Sequence, residues 1–165
     1  MGLFSLVYQA GTTLEISKQD AEMFMDEFGE LIKDIDGPGI FLHNIMLALP
    51  MFLPGFGAAW GMFSAASTGY AFAAIALLTP ELRQIHPLTI IYLTPFGVME
   101  IVAYSIATSR SYMLIWAMIK KTDLRTHVKP TILEIGLVVG LLLAGGFLEY
   151  YMIELAMEES ILPGL

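Results

Sequence analysis

The chain has 165 residues, of which 56% are hydrophobic and 15% charged, and its mean hydropathy is +0.70. Soluble domains carry about 25% charged residues, so this composition excludes an ordinary water-exposed surface and a disordered chain, and it indicates an integral membrane protein. The net charge of −8 argues against a nucleic-acid partner, and the absence of cysteine excludes disulfides and thiolate metal sites.

The N-terminal part contains two candidate helices. Residues 1–10 are apolar but too short to span a bilayer, so we expect the stub of a shortened helix or a helix lying at the interface. Residues 15–36 form a long charged stretch in which Ser17 and Asp20 resemble a capping box and Gly37-Pro38-Gly39 marks the end. Its apolar residues recur at helical spacing: Met23, Phe24, Phe28, Leu31, Ile32 and Ile35. The pattern predicts an amphipathic helix that packs on the membrane face of its own protein, with a partner-docking helix as the alternative.

Residues 40–79 contain no Asp, Glu, Lys or Arg, which is enough apolar chain for two crossings. Pro54-Gly55-Phe56-Gly57 is the expected break, since proline removes an amide donor and glycine permits a turn. We therefore predict helices over 40–54 and 57–79. The first is short and contains Pro50, so a re-entrant hairpin over 40–79 is the alternative.

Two more membrane helices are predicted over 88–108 and 130–152, joined by a basic loop at 109–129. The expected fold is thus an all-α integral membrane bundle of about four spanning helices plus the amphipathic helix, in a single membrane domain over 1–165. The loop contains five of the basic residues: Arg110, Lys120, Lys121, Arg125 and Lys129. Because basic loops favour the cytoplasm, we expect a multi-pass cell-membrane protein with this loop inside and the amphipathic helix and C-terminus outside.

Small residues recur four apart in two of these helices, a spacing that lets helix backbones approach closely. Gly57, Gly61 and Gly69 lie in one, and Gly136 and Gly140 in the other. We predict helix packing at these glycines, and for the first set the same chain is favoured over another subunit as the partner.

Polar residues within the apolar runs are candidates for function, because a carboxylate at the bilayer centre is costly and usually faces protein or water. The candidates are His43, Asn44, Glu100 and Glu149. The structural alternative is that Glu100 and Glu149 hydrogen-bond to Asn44, Tyr104 or the backbone and stabilise the bundle. Glu134 lies near the basic loop and is expected to pair with Lys129 or Arg125.

Enzyme signatures are not found in the sequence. It has no GxSxG and no phosphate-binding GK[ST] loop. The three histidines are scattered, without the close spacing typical of metal ligands. We therefore predict no metal, no cofactor and no enzymatic activity.

Four segments carry a resemblance to the stage II sporulation protein M family of multi-pass membrane proteins, over about residues 17–155. They are IFLHNIMLAL with Asn44, GFGAAWGMFSAASTGYAFAA with its spaced glycines, TPFGVMEIVAYSIATS with Pro95, Gly97 and Glu100, and GGFLEYYMIE with Glu149. The chain departs from the family pattern at Phe96, where the family has His, and at Thr68, where it has Asn. Both departures argue against a shared proton-relay or ion-binding role. The family also usually has a membrane helix ahead of the amphipathic stretch, which here is absent or reduced to residues 1–10.

The resemblance implies an anchor or scaffold, since the sporulation member is associated with a complex that remodels septal peptidoglycan alongside separate hydrolases. The leading hypothesis is a non-enzymatic scaffold, either a homo-oligomer or a small subunit of a membrane complex, in contact with lipid and other membrane proteins. The alternatives are a channel or transporter for an ion or small solute that uses Glu100 and Glu149, and an intramembrane enzyme acting on lipid.

Overall fold

The computed structural model describes residues 1–32, 35–79 and 82–161, and all regular structure within these ranges is helical. The α-helices are α1 (Gly2–Thr12), α2 (Lys18–Ile32), α3 (Gly37–Ala48), α4 (Phe56–Leu78), α5 (Pro87–Leu93), α6 (Pro95–Ile119) and α7 (Arg125–Ile161). Short 3-10 turns occupy Leu49–Phe52 and Leu82–Gln84. The predicted all-α class is confirmed.

The helices pack as a bundle around α4, α6 and α7. Helix α4 packs against α1 and α6, and α7 packs against α3 and α6. The interior is apolar, with Tyr8, Met51, Val138 and Leu142 buried almost completely. The outside is apolar as well, and Leu133 on α7 is 64% exposed. An apolar exterior of this extent is typical of a surface that faces lipid.

Two helices of the described residues are long and apolar enough to cross a membrane, Phe56–Leu78 and Arg125–Leu155. The pair α5 and α6 passes the same test as a unit but is bent by 96° at the break between its members, which makes it a third candidate. The segment Gly37–Phe52 is apolar but shorter. The structure therefore gives two or three candidate spans, where the sequence predicted about four.

The break predicted at 54–57 is present. Residues 53–55 form a turn in which Gly55 has φ +78°, a backbone conformation that favours glycine. Ser111 of α6 satisfies the backbone on both sides of this turn, since its Oγ donates to the Leu53 carbonyl at 2.5 Å and accepts from the Ala58 amide at 3.1 Å. The helix before the turn begins at Gly37, three residues earlier than predicted, because Asp36 caps it by accepting from the Gly39 amide at 2.8 Å.

The predicted continuous helix over 88–108 is wrong, because the chain bends sharply at Thr94. Thr94 is extended, with ψ of 127°, as is typical of a residue that precedes proline. Pro95 then starts α6 as a new helix. Apolar periodicity does not distinguish one straight helix from two helices at an angle, so Pro95 was the only sequence signal for the bend.

The basic loop is shorter than predicted. Helix α6 continues to Ile119, and α7 begins at Arg125 with Pro130 inside it, so the connection comprises only residues 120–124. Helix α6 ends in a pair of bonds from the Lys121 and Thr122 amides to the carbonyls of Met118 and Ala117. This is the Schellman arrangement, and Lys121 has φ +53° at the position usually taken by glycine.

The N-terminal residues form a helix that is part of the bundle. Helix α1 packs along α4 at two points where a side chain would not fit. A Cβ at Gly69 would collide with the Tyr8 carbonyl oxygen, and a Cβ at Gly11 would collide with that of Ala66. Close backbone contact at small residues is the packing mode expected between membrane helices.

Helix α2 also contacts α4. The predicted cap is confirmed, since the Asp20 amide donates to Ser17 Oγ at 3.1 Å. Ala21 is fully buried, and the ring of Phe24 lies edge-on to Tyr70 with 6.3 Å between centroids. Helix α2 therefore packs on its own protein, while its position at the membrane surface stays a prediction. Residues 33 and 34 of the predicted helix lie outside the described residues.

We expect Gly69→Ala to destabilise the bundle by about 1–3 kcal/mol, because overpacking forces α1 and α4 apart. The matched control is Gly29→Ala, at an exposed position of α2 where the added methyl meets open space. The free energy of unfolding in mixed micelles measures both variants. Equal stability of the two would contradict the close α1–α4 contact.

Candidate functional site

A polar network links two helices inside the bundle. Asn44 is buried on α3, and its Nδ2 donates to Glu100 Oε1 of α6 at 2.7 Å. The Tyr104 hydroxyl, one turn further along α6, donates to Asn44 Oδ1 at 3.1 Å. Both ends of the Asn44 amide are therefore satisfied by α6, which fixes the amide orientation between a carboxyl and a phenol.

Glu149 of α7 lies on a third helix near this network. It is within electrostatic range of Glu100 and Tyr104, and among the described residues the network's hydrogen bonds run between Asn44, Glu100 and Tyr104. Helix α7 approaches α3 closely one turn earlier, where a Cβ at Gly146 would come within 2.9 Å of the Phe41 amide nitrogen. The structure thus brings Asn44 and Glu100 into contact and places Glu149 within electrostatic range of Glu100.

The structure confirms one contact that the structural alternative predicted for Glu100, while the role of this residue stays a prediction. Its carboxyl bonds to Asn44, one of the partners that the sequence suggested. Hydrogen bonds between membrane helices average about 0.6 kcal/mol, whereas an orphan polar group in an apolar interior costs more. The network therefore satisfies both ends of the Asn44 amide inside the bundle.

His43 lies apart from the network. It precedes Asn44 by one position on α3, and its side chain is exposed. The buried side of α3 is formed by Gly37, Ile40, Asn44, Ile45 and Ala48, and His43 lies outside this set. Among the described residues, no group of three or more His, Cys, Asp or Glu is arranged to bind a metal.

A buried ion pair joins α6 to α7 at a second level. Arg110 is 6% exposed, and its guanidinium binds the Glu134 carboxylate through two nitrogens, with Nε to Oε2 at 2.6 Å. The predicted pairing of Glu134 with Lys129 or Arg125 is wrong. The predicted position of Arg110 in the basic loop is also wrong, because Arg110 belongs to α6 and is buried inside the bundle.

The position of this pair follows from the helical hairpin. Arg110 and Glu134 lie at equal distances along the chain from Thr122, which is in the α6–α7 connection. Antiparallel helices joined by a short connection place such residues at the same level. The sequence contained this signal, but an arginine at the end of an apolar run was interpreted as the start of a loop.

The predicted packing glycines fall into two groups. A Cβ at Gly57 would collide with the Met51 carbonyl oxygen, and one at Gly61 with Thr108 Oγ1. Together with Gly69, these residues pack within the chain as predicted. Gly136 and Gly140 have no other described residue within 4 Å of a built Cβ, so their packing role stays a prediction that requires a partner outside this chain.

Comparison with known proteins identifies a family. A family model described as stage II sporulation protein M matches residues 2–152. No curated protein and no solved structure matches the chain. The match begins at residue 2 and so includes α1, which the resemblance noted from the sequence did not.

We expect Glu134→Met to destabilise the protein by about 3–5 kcal/mol, because it leaves the buried Arg110 charge uncompensated inside the bundle. Arg110→Met should cost less, because the Glu134 side chain that it leaves unpaired is 26% exposed. The double variant should cost less than the sum of the two, since it removes both charges. Unfolding in mixed micelles measures the cycle, and Arg125→Met serves as the exposed-arginine control. Strict additivity of the two single variants would contradict the pairing.

Proposed function

The chain belongs to the stage II sporulation protein M family, and from that premise we propose that it is a non-enzymatic membrane protein that organises partners. It would act as a homo-oligomer or as a small subunit of a membrane complex. The outward face of α7 is the observation that carries this proposal. Only 22% of the apolar window of that helix is buried within the chain.

The outward face of α7 has the composition of a helix-packing surface. Gly136 and Gly140 lie four residues apart on it with open space above them. Exposed apolar residues surround these glycines: Ile132, Leu133, Leu137, Leu143 and Phe147. A ridge of small residues between larger ones allows a second helix to approach closely in lipid, where van der Waals packing drives association.

The interior polar groups support a structural role over a catalytic one. Asn44 bonds to Glu100 and to Tyr104, and Arg110 bonds to Glu134. These groups satisfy one another across helices, which is the arrangement that stabilises a bundle. Acid–base catalysis would instead require a carboxyl group within reach of a substrate proton.

Transport of an ion or small solute is the second candidate. Its support is the 96° bend between α5 and α6, which ends six residues before Glu100. Broken helices near mid-membrane often line binding sites in transporters. The carboxyl groups of Glu100 and Glu149, which lie within electrostatic range of each other, would then lie beside the pathway.

We expect Gly136→Leu with Gly140→Leu to reduce the assembly to smaller species, because the leucines cover the ridge that a partner helix would contact. Native mass measurement after extraction in lipid gives the result. The matched control is Ala59→Leu, a small-to-large change at an exposed position of α4. A wild-type chain that is cleanly monomeric, without co-purifying protein, would contradict the proposal.

For the transport candidate, Glu100→Gln should abolish solute flux in proteoliposomes while it preserves the fold, since the glutamine oxygen can still accept from Asn44. Asn44→Ala is the paired variant that removes the hydrogen bond and leaves the carboxyl. No flux in the wild-type protein, or equal flux in Glu100→Gln, would exclude this candidate.

A further inference from the structure

The connection between α6 and α7 combines an apolar groove with a concentration of positive charge. The groove has a volume of about 280 Å³. Its apolar lining comes from Pro54 of the turn before α4, Leu114 and Met118 of α6, Leu124 of the connection, and Val128 and Ile132 of α7, and His127 and Thr131 of α7 complete it. Pockets that enclose a drug-sized ligand measure about 300–1,000 Å³. This groove therefore suits a segment of an alkyl chain, and a larger molecule would extend beyond it.

Four cations accompany the groove-lining residues along the chain. Lys120 and Lys121 lie between Met118 and Leu124, and Arg125 and Lys129 follow on α7, all four exposed. Within the described part of the chain, none of these four is ion-paired with a carboxylate. Asp123 is the acidic residue among them, and its Oδ1 accepts from the Arg125 backbone amide at 2.9 Å. With four cations against one carboxylate, residues 120–129 carry a net charge of +3 next to the groove-lining residues in the chain.

Lys121 adds an independent observation. It has φ +53° at the Schellman position where helices usually place glycine. A left-handed conformation is strained for a residue with a Cβ, and strained backbone is often found where a side chain serves function. A lysine at this position therefore adds a positive charge to the connection, although glycine would adopt the same backbone conformation with less strain.

Aromatic residues mark the same end of α6. Trp116 and Tyr112 stack with 6.4 Å between ring centroids, and Lys120 Nζ lies 4.9 Å from the centroid of the Trp116 ring. Exposed tryptophan and tyrosine next to lysine are typical of the level where lipid headgroups meet the hydrocarbon. Exposed Ile119 and Ile132 continue the apolar surface beside the groove.

We propose that this groove binds one anionic phospholipid, with part of an acyl chain between α6 and α7 and the headgroup phosphate at Lys120, Lys121, Arg125 and Lys129. Charge complementarity selects the headgroup, because basic pockets between membrane helices attract anionic lipids. The apolar lining selects a lipid over a soluble anion. Ile132 borders both this groove and the outward face of α7, but lipid binding in the groove does not depend on the organising role proposed above.

The test uses the full-length protein in mild detergent, incubated with phosphatidylglycerol or with phosphatidylcholine of identical acyl chains. Retained lipid is counted by native mass spectrometry. We expect preferential retention of phosphatidylglycerol, and a loss of about fivefold in its affinity for Lys121→Gly, since each lysine near an anionic surface contributes about that factor. The melting temperature of Lys121→Gly should be equal to or above that of the wild type, because glycine relaxes the turn.

Three controls separate the sources of binding. Lys18→Gln removes one positive charge on α2 and should leave retention unchanged. Val128→Trp fills the groove without a charge change and should reduce retention. Glycerol phosphate, the headgroup chemistry without acyl chains, should not displace the bound lipid.

Three results would overturn the proposal. Equal retention of the two lipids by the wild-type protein would remove the headgroup preference. Unchanged affinity of Lys121→Gly for phosphatidylglycerol would remove the role of the strained lysine. Full displacement of the lipid by glycerol phosphate would show an anion site with no requirement for a chain.

Discussion

The fold depends on the need to pair polar groups within the bundle when the surrounding solvent is hydrocarbon. Asn44 bonds to Glu100 and Tyr104 at one level, and Arg110 bonds to Glu134 at another. Each of these interactions connects two helices. Because a polar group exposed to lipid is costly, these interactions determine which helices pack together and in which register. The apolar exterior, by contrast, specifies little about the arrangement of the helices.

Glycine also determines which helices pack together. Burial of apolar area does not determine this, because an apolar side chain is in an apolar environment both against another helix and against lipid. Gly11 and Gly69 bring α1 against α4, while Gly57 and Gly61 bring α4 against the chain before it and against α6. The same residue type at Gly136 and Gly140 faces outward. Helix α4 thus uses its small residues within the chain, and α7 leaves two of its glycines available to a partner.

Much of this site could be predicted from residue type and spacing, and the remainder depended on tertiary contacts. The turn at 53–55 and the cap of α2 are local, so Pro54-Gly55 and Ser17 indicated them directly. A carboxylate in an apolar run requires a polar partner. This requirement predicted the contact between Glu100 and Asn44. The partner of Glu134 is 24 residues away, and the bend at Thr94 depends on which helices pack on each side. The apolar periodicity of a single helix predicts neither the partner of Glu134 nor the bend at Thr94.

The central claim is that lipid covers the outer face of α7 while water reaches the α6–α7 connection. Because the chain has no cysteine, single cysteines can report on each location in proteoliposomes. A membrane-impermeant maleimide, given access to both sides of the bilayer, should label Lys121→Cys rapidly. It should label Leu143→Cys, which is 43% exposed in the structure, at least tenfold more slowly, roughly the factor that 1.4 kcal/mol represents. Equal labelling rates at the two positions would contradict the account.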